Sequence, residues 1–413
     1  MANTYLTRTV SSTGNRTKAT LSVWVKKSSN AEQFLFYNHE SNTTNFRIRF
    51  NPEVLQVETL SGSSVVGTLT TNRKFRDPSG FYHIVVAIDS TSGTADDRMK
   101  IYVNGVQETS FSARTNPPQN QNMAFNESSH VQYIGSQVTA NYFNGIMSHY
   151  YWIDGTAYPA STFGSTDSTT GEWKINTSPS VTMGTNGFTI LKDGNTITDQ
   201  SSNSNNFALG GGTLTKTEDC PSNVFATLNP LLPSNPTLTN GNTVLSSGSG
   251  SWLGTASTLG FSSGKFYYEV KVTSVTNYSQ LGVVDESNIN SLASEYIGNV
   301  AKGWGYNAGS GEYYNNGSGT AYGATYGNND IIGIAIDADN NKLYFSKNGT
   351  WQNSGVPTSG STGTGAISIS HATGFNTWFF GVSSNHIVSN CNFGNGYFGT
   401  TAVSSAGTNA SGI

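Results

Sequence analysis

Charge is what this sequence has least of. Asp, Glu, Lys and Arg make up 11% of its 413 residues, where about 25% is ordinary for a soluble protein, and the formal net charge is −4. Basic residues are also dispersed. Lys26-Lys27 and the Arg47/Arg49 pair are too sparse to neutralise a phosphate backbone, which excludes nucleic acid as a partner. Cysteine is nearly absent, with only Cys220 and Cys391. Two thiols this far apart make neither a disulfide scaffold nor a CxxC metal or redox motif, so the fold must hold by its core. No apolar run approaches the roughly 18 residues of a membrane span. The first residues, Met1-Ala-Asn-Thr-Tyr-Leu-Thr-Arg-Thr9, lack the apolar stretch of a signal peptide, so synthesis in the cytoplasm without an export signal is expected. Coiled-coil heptads, fibre repeats and amphipathic helices are missing too, which excludes a shaft.

Glycine fills the gap, at 46 residues, with abundant Ser, Thr and Asn and an aromatic content of 12% spread along most of the chain. Few charges, many turn formers and many rings fit an all-β protein and do not fit disorder. One pattern occurs twice. Ile332-Gly-Ile-Ala-Ile-Asp337 is followed by a polar turn, Lys342-Leu-Tyr-Phe345 and Asn348-Gly349. Far upstream stand Ile84-Val-Val-Ala-Ile-Asp89, a longer polar loop, Lys100-Ile-Tyr-Val103 and Asn104-Gly105. Ile332, Ile334 and Ile336 share one face, as do Ile84, Val86 and Ile88, and this alternation marks half-buried strands. Each Asn-Gly supplies the positive φ of a tight hairpin. Two distant copies imply two β-domains on related plans.

Leu21-Ser-Val-Trp-Val25, Gln33-Phe-Leu-Phe-Tyr37 and Phe46-Arg-Ile-Arg-Phe50 open the first series of strands, which runs on to the stretch Asn141-Tyr-Phe-Asn-Gly-Ile-Met-Ser-His-Tyr-Tyr-Trp-Ile-Asp-Gly155. Such strand density implies a sandwich or jelly roll. The motifs Thr20-Leu-Ser-Val-Trp-Val-Lys26, Phe81-Tyr-His-Ile-Val-Val-Ala-Ile-Asp89, Ile101-Tyr-Val-Asn-Gly105 and Phe143-Asn-Gly-Ile146 resemble the laminin G-like, concanavalin A-like jelly roll. Trp152-Ile-Asp-Gly155, Thr162-Phe-Gly164 and Thr170-Gly-Glu-Trp-Lys174 are similar to a version found in bacteriophages, especially marine ones. From residue 251 a second series begins. Gly264-Lys-Phe-Tyr-Tyr-Glu-Val270, Gly303-Trp-Gly-Tyr306, Asp330-Ile-Ile-Gly-Ile334 and Leu343-Tyr-Phe-Ser-Lys-Asn-Gly349 resemble a SPRY domain, with Ser346-Lys347 where many relatives carry an aromatic or Val.

The expected architecture is therefore all-β: two antiparallel β-sandwich (jelly-roll) domains, 1–210 and 246–400, joined by a Pro/Asn-rich linker at 211–245, with a loose tail at 401–413. The stretch 219–230 resembles the linker that joins such jelly rolls to a following module in phage structural proteins.

Catalytic patterns are absent. The paired carboxylates of a jelly-roll glycosidase, in a Glu-x-Asp-x-(x)-Glu strand, do not occur. Asp285-Glu286 and Glu295 form the nearest acidic cluster and read as solvated loop carboxylates. Neither Gly248-Ser-Gly-Ser-Trp252 nor Gly360-Ser-Thr-Gly363 matches a nucleophile elbow. The six His are scattered without metal-ligand spacing, and His83 reads as a core or edge residue of an apolar strand. Calcium is the one cofactor with candidate ligands, Asp96-Asp97, Asp154 and the pair Asp193/Asp199, although Asp-Gly pairs are also ordinary turns. Aromatic residues are the stronger candidates. Tyr313, Tyr314, Tyr322 and Tyr326 lie in Gly/Asn-rich loops of the second domain, and Tyr142, Tyr150 and Tyr151 cluster in the first. Rings among Asn and Ser suit sugars and protein partners alike, with Tyr142, Tyr151, Tyr313, Tyr314, Tyr322 and Tyr326 as ligand-binding candidates; Trp304 and Tyr306 read as core.

The resemblances imply a non-enzymatic phage virion surface protein, a knob, horn or decoration on tail or capsid, that binds host-surface glycan or protein and other virion proteins. Homo-oligomers or multiple copies per particle raise weak affinity by avidity. The alternatives are a decoration protein that only docks to virion proteins, a polysaccharide depolymerase and a cellular SPRY scaffold.

Overall fold

The structure is a computed structural model that describes residues 3–192, 194, 196–233, 237–248, 252–275 and 278–404. It divides into two compact units, the first comprising 1–216 with 220–224 and the second 217–219 with 225–413. Both are antiparallel β-sandwiches whose only helical pieces, among the described residues, are short 3-10 segments.

In the first unit an eight-stranded sheet runs Phe111–Thr115, Ser64–Thr71, Leu55–Ser61, Asn45–Phe50, Gln33–His39, Val131–Ile134, Tyr5–Thr9 and Ala208–Gly211. It faces a six-stranded sheet ordered Phe188–Ile190, Gly145–Asp154, Lys18–Lys27, Tyr82–Asp89, Met99–Val103 and Val106–Gln107. Ile84, Val86 and Ile88 point into the core between the sheets with Leu21, Val23, Val25 and Trp152, as their alternation requires. The intervening residues were expected to face water, and they do not. A segment over 155–183 covers the outer face, burying Val85, Tyr151 and Ile153 against Ala160 and Phe163, with Trp173 and Met183 packed alongside. A sheet buried on both faces still alternates when its outer face takes Ser22, Trp24 and His83.

The second unit repeats the plan. Thr237–Thr239, Val244–Ser247, Ile387–Asn392, Lys265–Val275, Ile331–Asp337, Lys342–Lys347 and Thr350–Trp351 form one sheet, with Ile367–Ser368 also paired to Lys342–Lys347. The other is Leu253–Ala256, Trp378–Ser384, Ser279–Asp285, Gly303–Asn307, Glu312–Asn315 and Ser318–Ala321. Ile332, Ile334 and Ile336 meet Leu281, Val283, Tyr306 and Val382 in the core.

The duplicated motif is a duplicated hairpin. Asn104 and Gly105 have φ of 46° and 81°, and Asn348 and Gly349 have 49° and 80°, the two positive values of a type I′ turn. Asn104 Oδ1 accepts the backbone N–H of His83 at 2.8 Å, and Asn348 Oδ1 accepts that of Ile331 at 2.8 Å.

Two boundaries move. The stretch expected as a linker at 211–245 is divided between the units, 211–216 and 220–224 belonging to the first and 217–219 and 225 onward to the second, and Thr237–Thr239 and Val244–Ser247 are ladder strands. Pro221, Pro230 and Pro233 lie in turns, so proline density did not mark a free linker. In the expected tail, Thr401–Ala402 pairs with Tyr397–Phe398, and 405–413 lie outside the described residues.

Candidate functional site

The tyrosines singled out in the second unit separate by strand parity. Tyr313 and Tyr314 are neighbours on Glu312–Asn315 and so face opposite ways. Tyr313 packs on the core, its ring 6.0 Å from Tyr322. Tyr314 faces outward. Its hydroxyl donates to Glu312 Oε2 at 2.9 Å, and that bond, with partial burial, raises its pKa. Its ring lies 6.4 Å from Tyr296, which lies 4.6 Å from Trp252, which lies 6.4 Å from Tyr278. The four rings form a continuous string. Tyr278 is 62% exposed, and Trp252, Tyr296 and Tyr314 are half-buried. Glu295 and Asn299, joined by a hydrogen bond, flank it.

Rigid neighbours position the string. Gly298 backs Tyr314 so closely that a Cβ there would sit 2.3 Å from the Tyr314 Cβ. Its N–H donates to Gln280 Oε1 at 2.8 Å, and the N–H of Ile297 donates to Ser383 Oγ at 3.0 Å. Tyr296 therefore projects from a turn pinned to the sheet. Trp252, Tyr278 and Tyr296 were missed in the sequence because they come from separate connections; each looks like an isolated surface aromatic there.

Tyr322 and Tyr326 do not line a loop surface, contrary to expectation. They are 7% and 5% exposed and belong to the core. The Tyr326 hydroxyl donates to the carbonyls of Tyr306 and Ser279, at 3.0 and 3.2 Å, and the Tyr322 hydroxyl donates to Gly365 O at 3.2 Å while accepting from Phe345 N–H. Burial pushes the Tyr322 phenol up to about 12. Their Gly/Asn-rich surroundings reflect turns folding back over the sandwich, not exposure. Trp304 and Tyr306 are core, as expected.

In the first unit a bulge decides which ring faces where. The register of Gly145–Asp154 against Lys18–Lys27 shifts between Ser148 and Tyr151, with His149 at φ 49°. The extra residue sends Tyr150 and Trp152 into the main core and turns Tyr151 to the outer face. There the 155–183 segment covers it to 3% exposure, so Tyr151 is no open contact ring. Tyr142 stays half-buried at the surface. Its ring lies 5.8 Å from that of Tyr5, which is 6.2 Å from Tyr133, which is 6.2 Å from Tyr37. This row crosses the outer face of the eight-stranded sheet toward the ion pairs Arg47–Glu58 and Arg49–Glu32.

The remaining polar candidates have structural duties. Asp154 was a calcium candidate. Its carboxylate accepts the N–H groups of Asn15 and Asn186 at 2.8 Å each and the Asn126 side-chain amide at 2.9 Å, and burial raises its pKa. Asp199 likewise accepts from Thr189, Ser201 and Asn205. Asp96 and Asp97 pair with Arg114 and Lys100 at 2.9 Å. Asp193 lies outside the described residues. Donors surround these oxygens, and no group of three His, Cys, Asp or Glu among the described residues is arranged to hold a metal.

Asp285 is not the solvated loop carboxylate its neighbourhood implied. It is fully buried, caps the turn by accepting Ser287 N–H at 2.9 Å, and meets His371 Nδ1 at 2.6 Å. His83 is core. Its Nδ1 accepts from Trp173 Nε1–H at 2.9 Å, so the neutral ring carries its proton on Nε2 and donates to Ser22 Oγ at 2.9 Å. That tautomer cannot deprotonate Ser22.

Comparison with known families agrees with this division. Residues 2–161 match the model of the concanavalin A-like lectin/glucanases superfamily, and residues 265–370 match the SPRY domain model. The chain carries a concanavalin A-like domain followed by a SPRY domain. Among solved structures it is similar to the SPRY domain of human HERC1, with 17% identity over 38% of this chain and 92% of that one and a TM-score of 0.31. The TRIM65 PSpry domain matches with 15% identity over 41% of this chain and 92% of that one, at a TM-score of 0.31. No curated protein matches the chain. Domains of both kinds are typically protein- or carbohydrate-binding modules. Of the string, Tyr278, Tyr296 and Tyr314 fall inside the SPRY match and Trp252 precedes it; one residue, Tyr314, was anticipated from sequence.

Proposed function

We propose that the protein is a non-enzymatic surface protein of a bacteriophage particle, a knob, horn or similar appendage of tail or capsid, that binds a host-surface glycan or protein. The observation that carries this reading is the aromatic string on the SPRY domain. Four rings in series, with carboxylate and amide groups beside them, offer apolar faces and hydrogen-bond partners at one surface. Such rings anchor sugars by stacking and proteins by burying large rigid surfaces. The phage assignment rests on the motifs at 152–174 and 219–230, which resemble phage jelly rolls and their linkers. The duties of His83 and Asp285 support a reading without catalysis.

A second reading is favoured by the Tyr5–Tyr142–Tyr133 row: the concanavalin A-like domain docks to another virion protein and the chain decorates the particle.

Immunogold electron microscopy of purified particles, paired with binding of the protein to host envelope material, tests both. Label at the tail with saturable binding that Trp252→Ala and Tyr314→Ala weaken supports adhesion. Label over the capsid without affinity for cells supports decoration. Unlabelled particles overturn the virion reading, and release of oligosaccharides overturns the non-enzymatic one.

A further inference from the structure

The four rings of the SPRY string are set apart by the charge around them. Glu295 immediately precedes Tyr296, and Glu312 accepts the Tyr314 hydroxyl. Neither carboxylate has a basic partner among the described residues: Glu295 is bonded to the Asn299 amide and Glu312 to that phenol. Lys302, which lies between them in the chain, donates to Ser370 Oγ at 3.0 Å, and no arginine occurs anywhere after Arg114. Tyr267 makes the contrast. It too is exposed and donates to a carboxylate, that of Glu269, at 2.7 Å. Strand parity puts Lys265 and Lys271 on that same face, so a cation is repelled there and not at the string.

We propose that the string is a site for a quaternary ammonium group carried by a surface glycan. The inference rests on the reading of the string as the binding surface and names the chemistry which that surface takes. Aromatic faces carry negative potential, and a cation within about 6 Å of a Trp or Tyr centroid is attracted to it. Trp252 holds the middle of the string, between Tyr278 and Tyr296. Successive rings stand at 88°, 42° and 85° to one another, so they form corners and not a flat platform. A corner suits the rounded trimethylammonium group, whose methyls meet two faces at once. A plain pyranose chain stacks best on rings in a common plane.

The surrounding groups sharpen the selection. Donation of the Tyr314 hydroxyl to Glu312 enriches the electron density of its ring and strengthens the attraction. Glu295 and Glu312 draw in a cation and repel an anionic ligand. A lysine ammonium is compact and strongly hydrated, so it gives up its water to an aromatic surface at greater cost. The quaternary group has no N–H to leave unpaired and spreads its charge over methyls that pack on the rings.

The test is a saturation-transfer NMR titration of the full chain with three probes, beside binding of the chain to host envelope material. The probes are choline, dimethylbutanol, in which a carbon replaces the ammonium nitrogen, and Nα-acetyl-lysine methylamide. Choline is expected to bind saturably, about tenfold more tightly than the neutral isostere and more tightly than the lysine amide, and to displace envelope material. Trp252→Ala abolishes choline binding. Glu295→Gln combined with Glu312→Gln, which keeps an acceptor for Tyr314, brings choline to the affinity of its isostere. Tyr267→Ala leaves choline binding unchanged. Absent choline binding, equal binding of choline and isostere, preference for the lysine amide, or binding lost in Tyr267→Ala and kept in Trp252→Ala overturns the proposal. Envelope binding that Trp252→Ala weakens and choline does not displace overturns the ammonium assignment alone and leaves the adhesion reading standing. Envelope binding that Trp252→Ala leaves unaltered overturns both.

Discussion

The indole N–H of Trp173 donates to Nδ1 of His83 at 2.9 Å, while the His83 ring stacks on Trp24 with centroids 4.6 Å apart. The imidazole is fully buried, and desolvation pushes its pKa down to about 3 from an ordinary 6.5. The folded state therefore holds His83 neutral, whereas the unfolded chain takes up a proton below its ordinary value. The contribution is fully present above pH 6.5 and is lost as pH falls through the window between 6.5 and about 3. The expected slope from this one group is about 1.4 kcal/mol per pH unit. Denaturant unfolding at stepped pH, compared between the wild type and His83→Phe, checks it: the variant is destabilised at neutral pH, and its loss on acidification is smaller by this slope.

Gly349 tests the hairpin. Its φ is 80°, and a Cβ added there meets nothing within 4 Å. Gly349→Ala therefore isolates backbone strain and is expected to cost about 1 kcal/mol. Gly80 also has open space but no positive φ, so Gly80→Ala should stay within about 0.5 kcal/mol of wild type. Equal effects at both positions would sink the turn assignment.

Binding and stability are expected to separate among the tyrosines. Trp252→Ala and Tyr314→Ala should weaken ligand binding about tenfold or more, as hot-spot aromatics do, with small changes in melting temperature. Tyr326→Phe should do the reverse. It removes the hydroxyl that serves the carbonyls of Tyr306 and Ser279, costs about 1–2 kcal/mol and leaves affinity unchanged. Thermal denaturation beside a binding isotherm for each variant reads both quantities.

Asp154 should behave as a structural acceptor. Asp154→Asn replaces one accepting oxygen with an NH2, which faces either the Asn15 N–H and Asn126 amide donors of one oxygen or the Asn186 N–H of the other. A loss of about 2–3 kcal/mol is expected. Calcium or a chelator should leave the melting temperature unchanged. A calcium-dependent rise abolished in Asp154→Asn would contradict the assignment.

Much of the fold was legible because its signals are local. Period-two alternation at Ile84–Val86–Ile88 and Ile332–Ile334–Ile336, together with the paired Asn-Gly turns, specifies strand and hairpin without reference to the rest of the chain. The candidate site was legible only at Tyr314. Its partners Tyr296, Trp252 and Tyr278 come from segments that carry no shared periodicity, so nothing in their spacing links them.

The sequence by itself determined that the chain forms two antiparallel sandwiches and which residues of the central strands share a face. These follow from steric and hydrophobic rules acting over a few residues. Only the tertiary structure decided which rings are available. A single extra residue at His149 reverses the parity of Tyr150 and Tyr151, and the 155–183 segment then buries the face to which Tyr151 turns. Returning connections bury Tyr322 and Tyr326 in the same way. Exposure depends on what a distant segment packs against, and local pattern carries no information about that.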